Sequence, residues 1–182
     1  MPANRAVYTA SAVMGTLLFA SSGIAQGTSA TYLDYNTIAP ATWTTRAPAS
    51  SMRLAEFTTP GVAGKAGAEV IVYFFGKGAG GSPDANLNRW KSQFSNPSGA
   101  PVVERISVDS KGPFPLTIAE YEGTYARGIG AGSEPEQARP EHMLVAVVTE
   151  TPHGTIFFQL FGPIQSVEAQ KAAYLQFVRG LK

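Results

Sequence analysis

The chain has 182 residues, with 14 basic and 13 acidic side chains, two histidines and no cysteine. The absence of cysteine excludes disulfides, thiolate metal sites and cysteine nucleophiles. The charges nearly balance, and no Lys/Arg cluster is longer than a pair. A surface of this kind has little capacity to neutralise phosphates, which argues against nucleic-acid binding.

Residues 1–25 have the order of a secretory signal peptide, which is removed from the mature protein. One positive charge, Arg5, precedes an apolar run that is shorter than the roughly 20 residues needed to span a bilayer. Small residues follow, so we expect cleavage after Ala25, with Ala30 as the rival position and a retained membrane anchor as the alternative. Cleavage after Ala25 predicts a soluble periplasmic or secreted protein of 157 residues, with 13 basic and 13 acidic side chains and no membrane insertion.

Residues 26–50 are rich in Thr, Ala, Ser and Pro, and we expect an extended lead-in that is anchored to the domain by Trp43. After it, six segments have the apolar alternation or the β-branched and aromatic content of strands. They run over 51–58, 69–75, 102–109, 114–122, 142–150 and 155–161. Residues 126–141 are rich in Gly, Glu and Pro without apolar periodicity, which predicts a mobile loop.

Two helices are predicted from capping residues and apolar stripes. The first begins at Ser82-Pro83-Asp84, because Ser is a preferred N-cap, Pro fits the first turn and Asp complements the helix dipole. It ends before Asn96, and the second helix begins with Ser166 as its N-cap. The predicted buried stripes are Leu87, Trp90 and Phe94 in the first helix, and Val167, Ala173, Tyr174, Phe177, Val178 and Leu181 in the second.

The elements follow the order β-β-α-β-β-β-β-α and predict a single α+β domain over residues 51–182. Short turns join consecutive strands, so we expect an antiparallel sheet of about six strands. Two strands are apolar without alternation, which predicts cover on both faces. A helix on each side of the sheet would supply that cover.

Several segments resemble a group of exported, functionally uncharacterised bacterial proteins. They are 52–57 (MRLAEF), 73–76 (YFFG), 80–81 (GG), 85–94 (ANLNRWKSQF), 123–125 (GTY) and 157–163 (FFQLFGP). With the element order and the strand–strand–Gly-Pro–helix ending, the chain also resembles the PsbP/Mog1-like α/β/α sandwich. The resemblance implies this fold and a role in binding partners, as in the oxygen-evolving-complex subunit and a small-GTPase-binding factor. It carries no binding residue over to this chain, and a fold alone does not fix function.

Residues 76–81 spell G-x-G-x-x-G between a predicted strand and a predicted helix. This motif binds a dinucleotide pyrophosphate when it opens a helix within a βαβ unit. Here the helix starts after the third glycine and the other strands form hairpins, so dinucleotide binding is disfavoured and no cofactor is predicted. Gly78, Gly80 and Gly81 remain candidates for a binding loop, in which free N–H groups at the helix start can hold an anion.

A polar ridge runs along the first helix through Asn86, Arg89 and Gln93, beside Trp90. One interpretation is a recognition face for a partner, with Trp90 as its anchor. The other is that Trp90 packs on the sheet while the ridge is solvated or bonds to neighbouring loops, the commoner arrangement at helical spacing. The sequence leaves both interpretations open.

Glu104 and Glu120 are predicted to face each other across a hairpin, where paired carboxylates can do acid–base chemistry. A one-residue shift of register would place them on opposite faces of the sheet. His142 and His153 lack metal-ligand spacing and no nucleophile motif is present, so no catalytic or metal-binding residue is assigned. The sequence therefore predicts a non-enzymatic module that binds an unknown protein partner or small ligand. The predicted binding surfaces are the first helix, the glycine loop at 76–81 and the mobile loop at 126–141. The alternative is a small hydrolase or isomerase that uses Glu104, Glu120 or His142 in a cleft.

Overall fold

The structure is a computed structural model that describes residues 27–126 and 137–182. Within these ranges the chain forms ten strands and two α-helices. In chain order they are β1 (Thr28–Tyr32), β2 (Tyr35–Ala39), β3 (Thr44–Arg46), β4 (Arg53–Thr58), β5 (Glu69–Phe74), α1 (Pro83–Lys91), β6 (Phe94–Ser95), β7 (Val103–Asp109), β8 (Leu116–Tyr125), β9 (Arg139–Thr151), β10 (Gly154–Pro163) and α2 (Ile164–Arg179). The predicted signal peptide and most of the predicted loop at 126–141 lie outside the described residues.

One large antiparallel sheet forms the middle layer of the molecule. Its strand order is β3-β4-β5-β10-β9-β8, and both β6 and β7 pair with the far edge of β8. The predicted mixed α+β fold with an antiparallel sheet is confirmed, and each of the six predicted strands is present. The predicted strand number was wrong, because β1, β2, β3 and β6 are short and lack an apolar run that would indicate a strand.

The segment predicted as an extended lead-in contains a separate hairpin, in which β1 pairs with β2. Tyr32 and Tyr35 of this hairpin are buried, and so is Trp43. The Trp43 ring contacts the rings of Phe57 and Phe177 with centroid separations of 5.8 and 5.5 Å. The N-terminal residues therefore belong to the hydrophobic core, and the folded domain starts before residue 51.

The two helices lie on opposite faces of the large sheet, as predicted. On the first face α2 and the hairpin cover a core that includes Val145, Ile156 and Phe158. On the second face α1 packs through Leu87 and Trp90 against a smaller cluster. No helix within the described ranges is long and apolar enough to cross a membrane.

The first helix starts where the sequence predicts and ends sooner. The hydroxyl of Ser82 accepts a hydrogen bond from the Ala85 N–H at 3.2 Å, and Pro83 occupies the first turn. The helix ends at Lys91 rather than just before Asn96. Phe94 was predicted on the helical stripe, but it lies in β6, where it stays buried in the same cluster as Trp90.

The second helix starts two residues before its predicted cap. Pro163 precedes the helix, which begins at Ile164, so Ser166 is not the N-cap. The Ser166 hydroxyl instead donates to the carbonyl of Ala66 at 2.7 Å, and the residue is completely buried. Ser166 therefore ties α2 to the loop before β5.

The two faces of the sheet are covered unequally. Seven strand positions at about 4.8 Å make a sheet about 29 Å wide. The 16 residues of α2 span about 24 Å and have the hairpin beside them, whereas the nine residues of α1 span about 14 Å. Among the described residues, therefore, no helix lies above part of the α1 face.

Candidate functional site

An open groove of about 480 Å³ lies on the α1 face, beside the helix. Its floor is formed by side chains of β5, β9 and β10, namely Ile71, Leu144, Gln159 and Phe161. Arg89, Trp90 and Gln93 line it from α1 and the turn that follows. The volume falls within the range of about 300–1,000 Å³ that is typical of small-ligand sites.

Gln159 places a polar group at the centre of the groove floor. It pairs across the sheet with Ile71 on one side and Ala146 on the other, in the middle of an otherwise apolar strand. Its side-chain amide is half-buried and has no hydrogen-bond partner among the described residues. Because burying an unpartnered amide is costly, Gln159 is tolerated here by its access to the groove.

Aromatic rings surround this polar floor. Tyr73 and Phe75 lie parallel, with centroids 6.0 Å apart and planes within 6°. Phe157 lies between the Phe75 and Trp90 rings and meets both edge to face. Tyr73, Phe75 and Trp90 line the groove, and the completely buried Phe157 supports Phe75 and Trp90 from within the core. Aromatic rings are surfaces against which planar ligands pack.

One basic side chain of the groove is already paired. Arg53 donates to the Glu56 carboxylate at 2.9 Å and lies 5.5 Å above the Tyr73 ring. Burial alone would raise the pKa of Glu56, but hydrogen bonds from the Ala49 N–H and Arg53 outweigh it and hold that pKa below its ordinary value. Glu56 is therefore ionised at neutral pH and offsets the charge of Arg53.

Arg89 is held differently, by an uncharged side chain. It donates to the Asn86 amide oxygen at 2.6 Å and makes no ion pair within the described residues. Asn86 is 2% exposed, and its amide nitrogen donates to the carbonyls of Gly80 at 2.7 Å and Ser82 at 3.0 Å. The glycine loop and the polar ridge, predicted as separate candidates, thus form one network that orients Arg89.

Three of the four predicted residues of the first helix line the groove, and the fourth is buried. Arg89, Trp90 and Gln93 line the groove, while Asn86 lies buried behind them. Trp90 is 5% exposed, packs on the sheet against Phe157 and also lines the groove.

The predicted glycine residues do not line the groove. A Cβ at Gly80, whose φ is +90°, would approach the Cδ2 of Phe75 to 2.7 Å. Gly80 is thus required by backbone conformation and by close packing against that ring. Gly78 and Gly81 also have positive φ, but a Cβ at Gly78 would meet nothing within 4 Å. The carbonyl of Gly80 accepts a hydrogen bond from Asn86 and so holds that side chain in place.

The prediction that Glu104 and Glu120 face each other is wrong. In the β7–β8 register Glu104 pairs with Tyr121 and Arg105 pairs with Glu120, which puts the carboxylates on opposite faces of the sheet. Glu104 accepts from Lys91 of α1 at 2.5 Å, and Glu120 accepts from Lys171 of α2 at 2.8 Å. Each carboxylate is an ion-pair partner of the helix on its own face.

The two histidines lie apart from each other and from these carboxylates. The Nδ1 of His142 donates to the carbonyl of Pro140 at 2.7 Å, and its ring packs against Phe161. His153 lies in the β9–β10 turn, 3.3 Å from the carboxylate of Asp34. Across the part of the chain that the structure describes, no group of three His, Cys, Asp or Glu side chains is placed to hold a metal ion.

Sequence reasoning missed the groove residues that come from the sheet. Arg53, Tyr73 and Phe161 lie in predicted strands, and nothing in their spacing distinguishes them from other strand residues. Gln159 did carry a signal, because it is the one polar residue within the run Ile-Phe-Phe-Gln-Leu-Phe. A polar side chain inside an otherwise apolar strand indicates a gap in the cover of that strand.

Comparison with known proteins supports the fold. No protein-family model and no curated protein matches the sequence. A cyanobacterial PsbP protein (CyanoP) from Synechocystis, solved in solution, is similar with a TM-score of 0.53 and 14% identity over 93% of this chain and 98% of that one. A protein of unknown function from Pseudomonas aeruginosa aligns with a TM-score of 0.45 and 12% identity, over 86% of this chain and 96% of that one. The similarity to the cyanobacterial PsbP protein shows that the chain has a PsbP-like fold.

Proposed function

We propose that the protein is an exported, non-enzymatic binding module that holds a ligand in the groove beside α1. The observation that carries the proposal is the half-buried Gln159 amide, which lies on an aromatic-lined floor without a partner among the described residues. The Gln93 side chain is in the same situation on the α1 side. A few polar groups converging in a largely aromatic groove of ligand size are typical of binding sites.

Export is the second part of the proposal, with the signal peptide removed after Ala25. The start of β1 at Thr28 supports this position over the rival one. A cut after Ala30 would remove three of the five residues of β1, whereas a cut after Ala25 leaves the strand whole. N-terminal sequencing of the protein from a periplasmic fraction or the culture medium tests the site, and a retained leader would contradict it.

Trp90 provides a reporter for binding in the groove. The chain has two tryptophans, and Trp43 lies on the α2 face among Phe57 and Phe177. The substitution Trp43→Phe therefore leaves an emission that comes from the groove alone. We expect a small-molecule extract of bacterial periplasm to change the Trp90 emission and to raise the melting temperature, because ligand binding stabilises the folded state.

A substitution that blocks the groove separates this site from any other. Gln159→Phe fills the floor and should abolish both effects of the extract. Gln165→Phe, at an exposed position on α2, is the matched control and should retain them. If the extract has no effect on the Trp43→Phe protein, or acts equally on the blocked variant, the groove is not the binding site.

A further inference from the structure

We infer that the groove ligand is a small organic anion: a carboxylate bound by Arg89, carried on a flat apolar body that lies against the aromatic walls. This inference rests on the proposed binding function and names the ligand class. It depends on the charge, the orientation and the surroundings of one guanidinium group.

The charge of Arg89 is not neutralised within the described residues. Its guanidinium donates to the neutral amide oxygen of Asn86, and its side chain is exposed along the groove. Among the described residues, Glu69 is the one carboxylate that lines the groove, and it lies 3.5 Å from Arg46 in an ion pair whose side chains are both about half exposed. An anion entering beside Arg89 would therefore meet a positive charge that has no competing carboxylate bound to it.

The orientation of Arg89 is fixed before a ligand arrives. A guanidinium has five N–H donors, and the bond to Asn86 uses one of them. Asn86 is itself fixed by two backbone carbonyls, of Gly80 and Ser82. The other donors of Arg89 thus have a preset direction, which lowers the entropy lost on binding a planar carboxylate. We assign Asn86 as the positioning residue for Arg89.

The rest of the groove suits the body of the ligand. Trp90, Tyr73 and Phe161 line the same groove as Arg89, and planar molecules pack well against aromatic rings. The amides of Gln93 and Gln159 can each donate and accept, so the body has room for one or two polar atoms. A volume of about 480 Å³ matches a small molecule better than a folded partner.

A charged and a neutral probe of the same shape test the inference. We would titrate the Trp43→Phe protein with 2-naphthoate and with 2-naphthamide by isothermal titration calorimetry. We expect the carboxylate to bind at least about tenfold more tightly, since hydrogen bonds between a guanidinium and a carboxylate are stronger than those to a neutral amide. In Arg89→Gln this preference should fall to about one.

Lys91→Gln is the matched control for the loss of charge. It removes one positive charge from the same helix, but Lys91 contacts Glu104 and does not line the groove. This variant should keep the tenfold preference. Circular dichroism establishes that each variant is folded, and Arg89 is exposed enough for its substitution to be tolerated.

The outcomes distinguish this inference from the proposed function. If both probes bind equally and Gln159→Phe abolishes both, the groove binds a ligand but the anionic class is wrong. If neither probe binds while the extract still shifts Trp90, the aromatic carboxylate is likewise wrong and the binding function stands. If hexaglutamate peptide binds in an Arg89-dependent way and 2-naphthoate does not, the ligand is an acidic peptide and the inference is overturned.

Discussion

Three tyrosine hydroxyls in the α2-face core are buried without a hydrogen-bond partner among the described residues, those of Tyr32, Tyr35 and Tyr174. Tyr174 is the most extreme, because its side chain on α2 is completely buried. An unpartnered buried hydroxyl costs about 1–3 kcal/mol relative to its hydrated state. The three hydroxyls therefore offset part of the stability that the burial of their rings contributes.

Tyr174→Phe should increase the free energy of unfolding by about 1 kcal/mol, because it removes the unpartnered oxygen and keeps the ring. Urea denaturation measures the change. Tyr121→Phe is the matched control, since its hydroxyl donates to the Leu87 carbonyl at 3.1 Å, and it should lose about 1 kcal/mol. A loss at Tyr174 as large as that at Tyr121 would show that the Tyr174 hydroxyl has a partner in solution.

Glu120 makes stability depend on pH. Burial alone would raise the pKa of its carboxyl, but hydrogen bonds and charge from Lys171 and Arg105 outweigh it and lower that pKa below the ordinary value of 4.5. A carboxyl whose pKa is lower in the folded state contributes stability that is present above about 4.5 and is lost as pH falls through the folded value. The contribution is modest, because Arg105 is half exposed.

At neutral pH we expect Glu120→Gln to lower the free energy of unfolding by about 1 kcal/mol. The difference from the wild type should narrow as the pH drops below 4.5, since the wild-type carboxyl then becomes neutral as well. Urea titrations at several pH values measure this. Glu168→Gln removes a carboxylate 3.6 Å from Lys171 that is about half exposed, and it should have little effect at any pH. A constant difference for Glu120→Gln would contradict the linkage.

At the scale of elements, capping chemistry predicted the start of α1 but not that of α2, and the end of α1 was not predicted. Ser82-Pro83 predicted the start of α1 correctly, because an N-cap acts through contacts within one turn. The end of α1 is set instead by the pairing of Phe94 with Tyr125 of β8, which the local sequence does not contain. The β1–β2 hairpin was missed for the same reason. Its sequence has no alternating apolar pattern, and its tyrosines are buried by α2 and other residues that are distant in sequence.

The β1–β2 hairpin predicts how the choice of signal-peptide cleavage site affects the stability of the mature chain. A chain that begins at Thr31 lacks the pairs Thr28–Ala39, Ser29–Ile38 and Ala30–Thr37, three of the five between β1 and β2. We expect it to be less stable than a chain that begins at Gln26 by about 1–2 kcal/mol, from the lost ladder hydrogen bonds. Thermal denaturation of the two purified chains compares them. Equal melting temperatures would mean that β1 adds nothing and would remove the structural argument for cleavage after Ala25.

At the scale of the whole molecule, the sequence predicts a layered fold but not that the helices cover the two faces of the sheet to different extents. The continuous apolar run at 69–75 indicates cover on both faces, and both faces do carry a helix. How far each helix reaches depends on where α1 ends and on the register of long-range strand pairs. A shift of one residue likewise separated Glu104 from Glu120. Local patterns leave such registers open, so the groove becomes visible only in three dimensions.

Because the two faces of the sheet are covered unequally, we expect an Ile→Ala substitution to lower the free energy of unfolding by different amounts on the two faces. Ile156 is completely buried under α2, whereas Ile71 lies on the groove floor at 8% exposure. Ile156→Ala should leave a closed cavity and cost about 3–4 kcal/mol. Ile71→Ala should cost about 1–2 kcal/mol, because the space it leaves is continuous with the groove and open to water. Denaturant midpoints of the two variants measure the difference. Equal losses would mean that the groove is closed in the free protein and that a ligand must first open it.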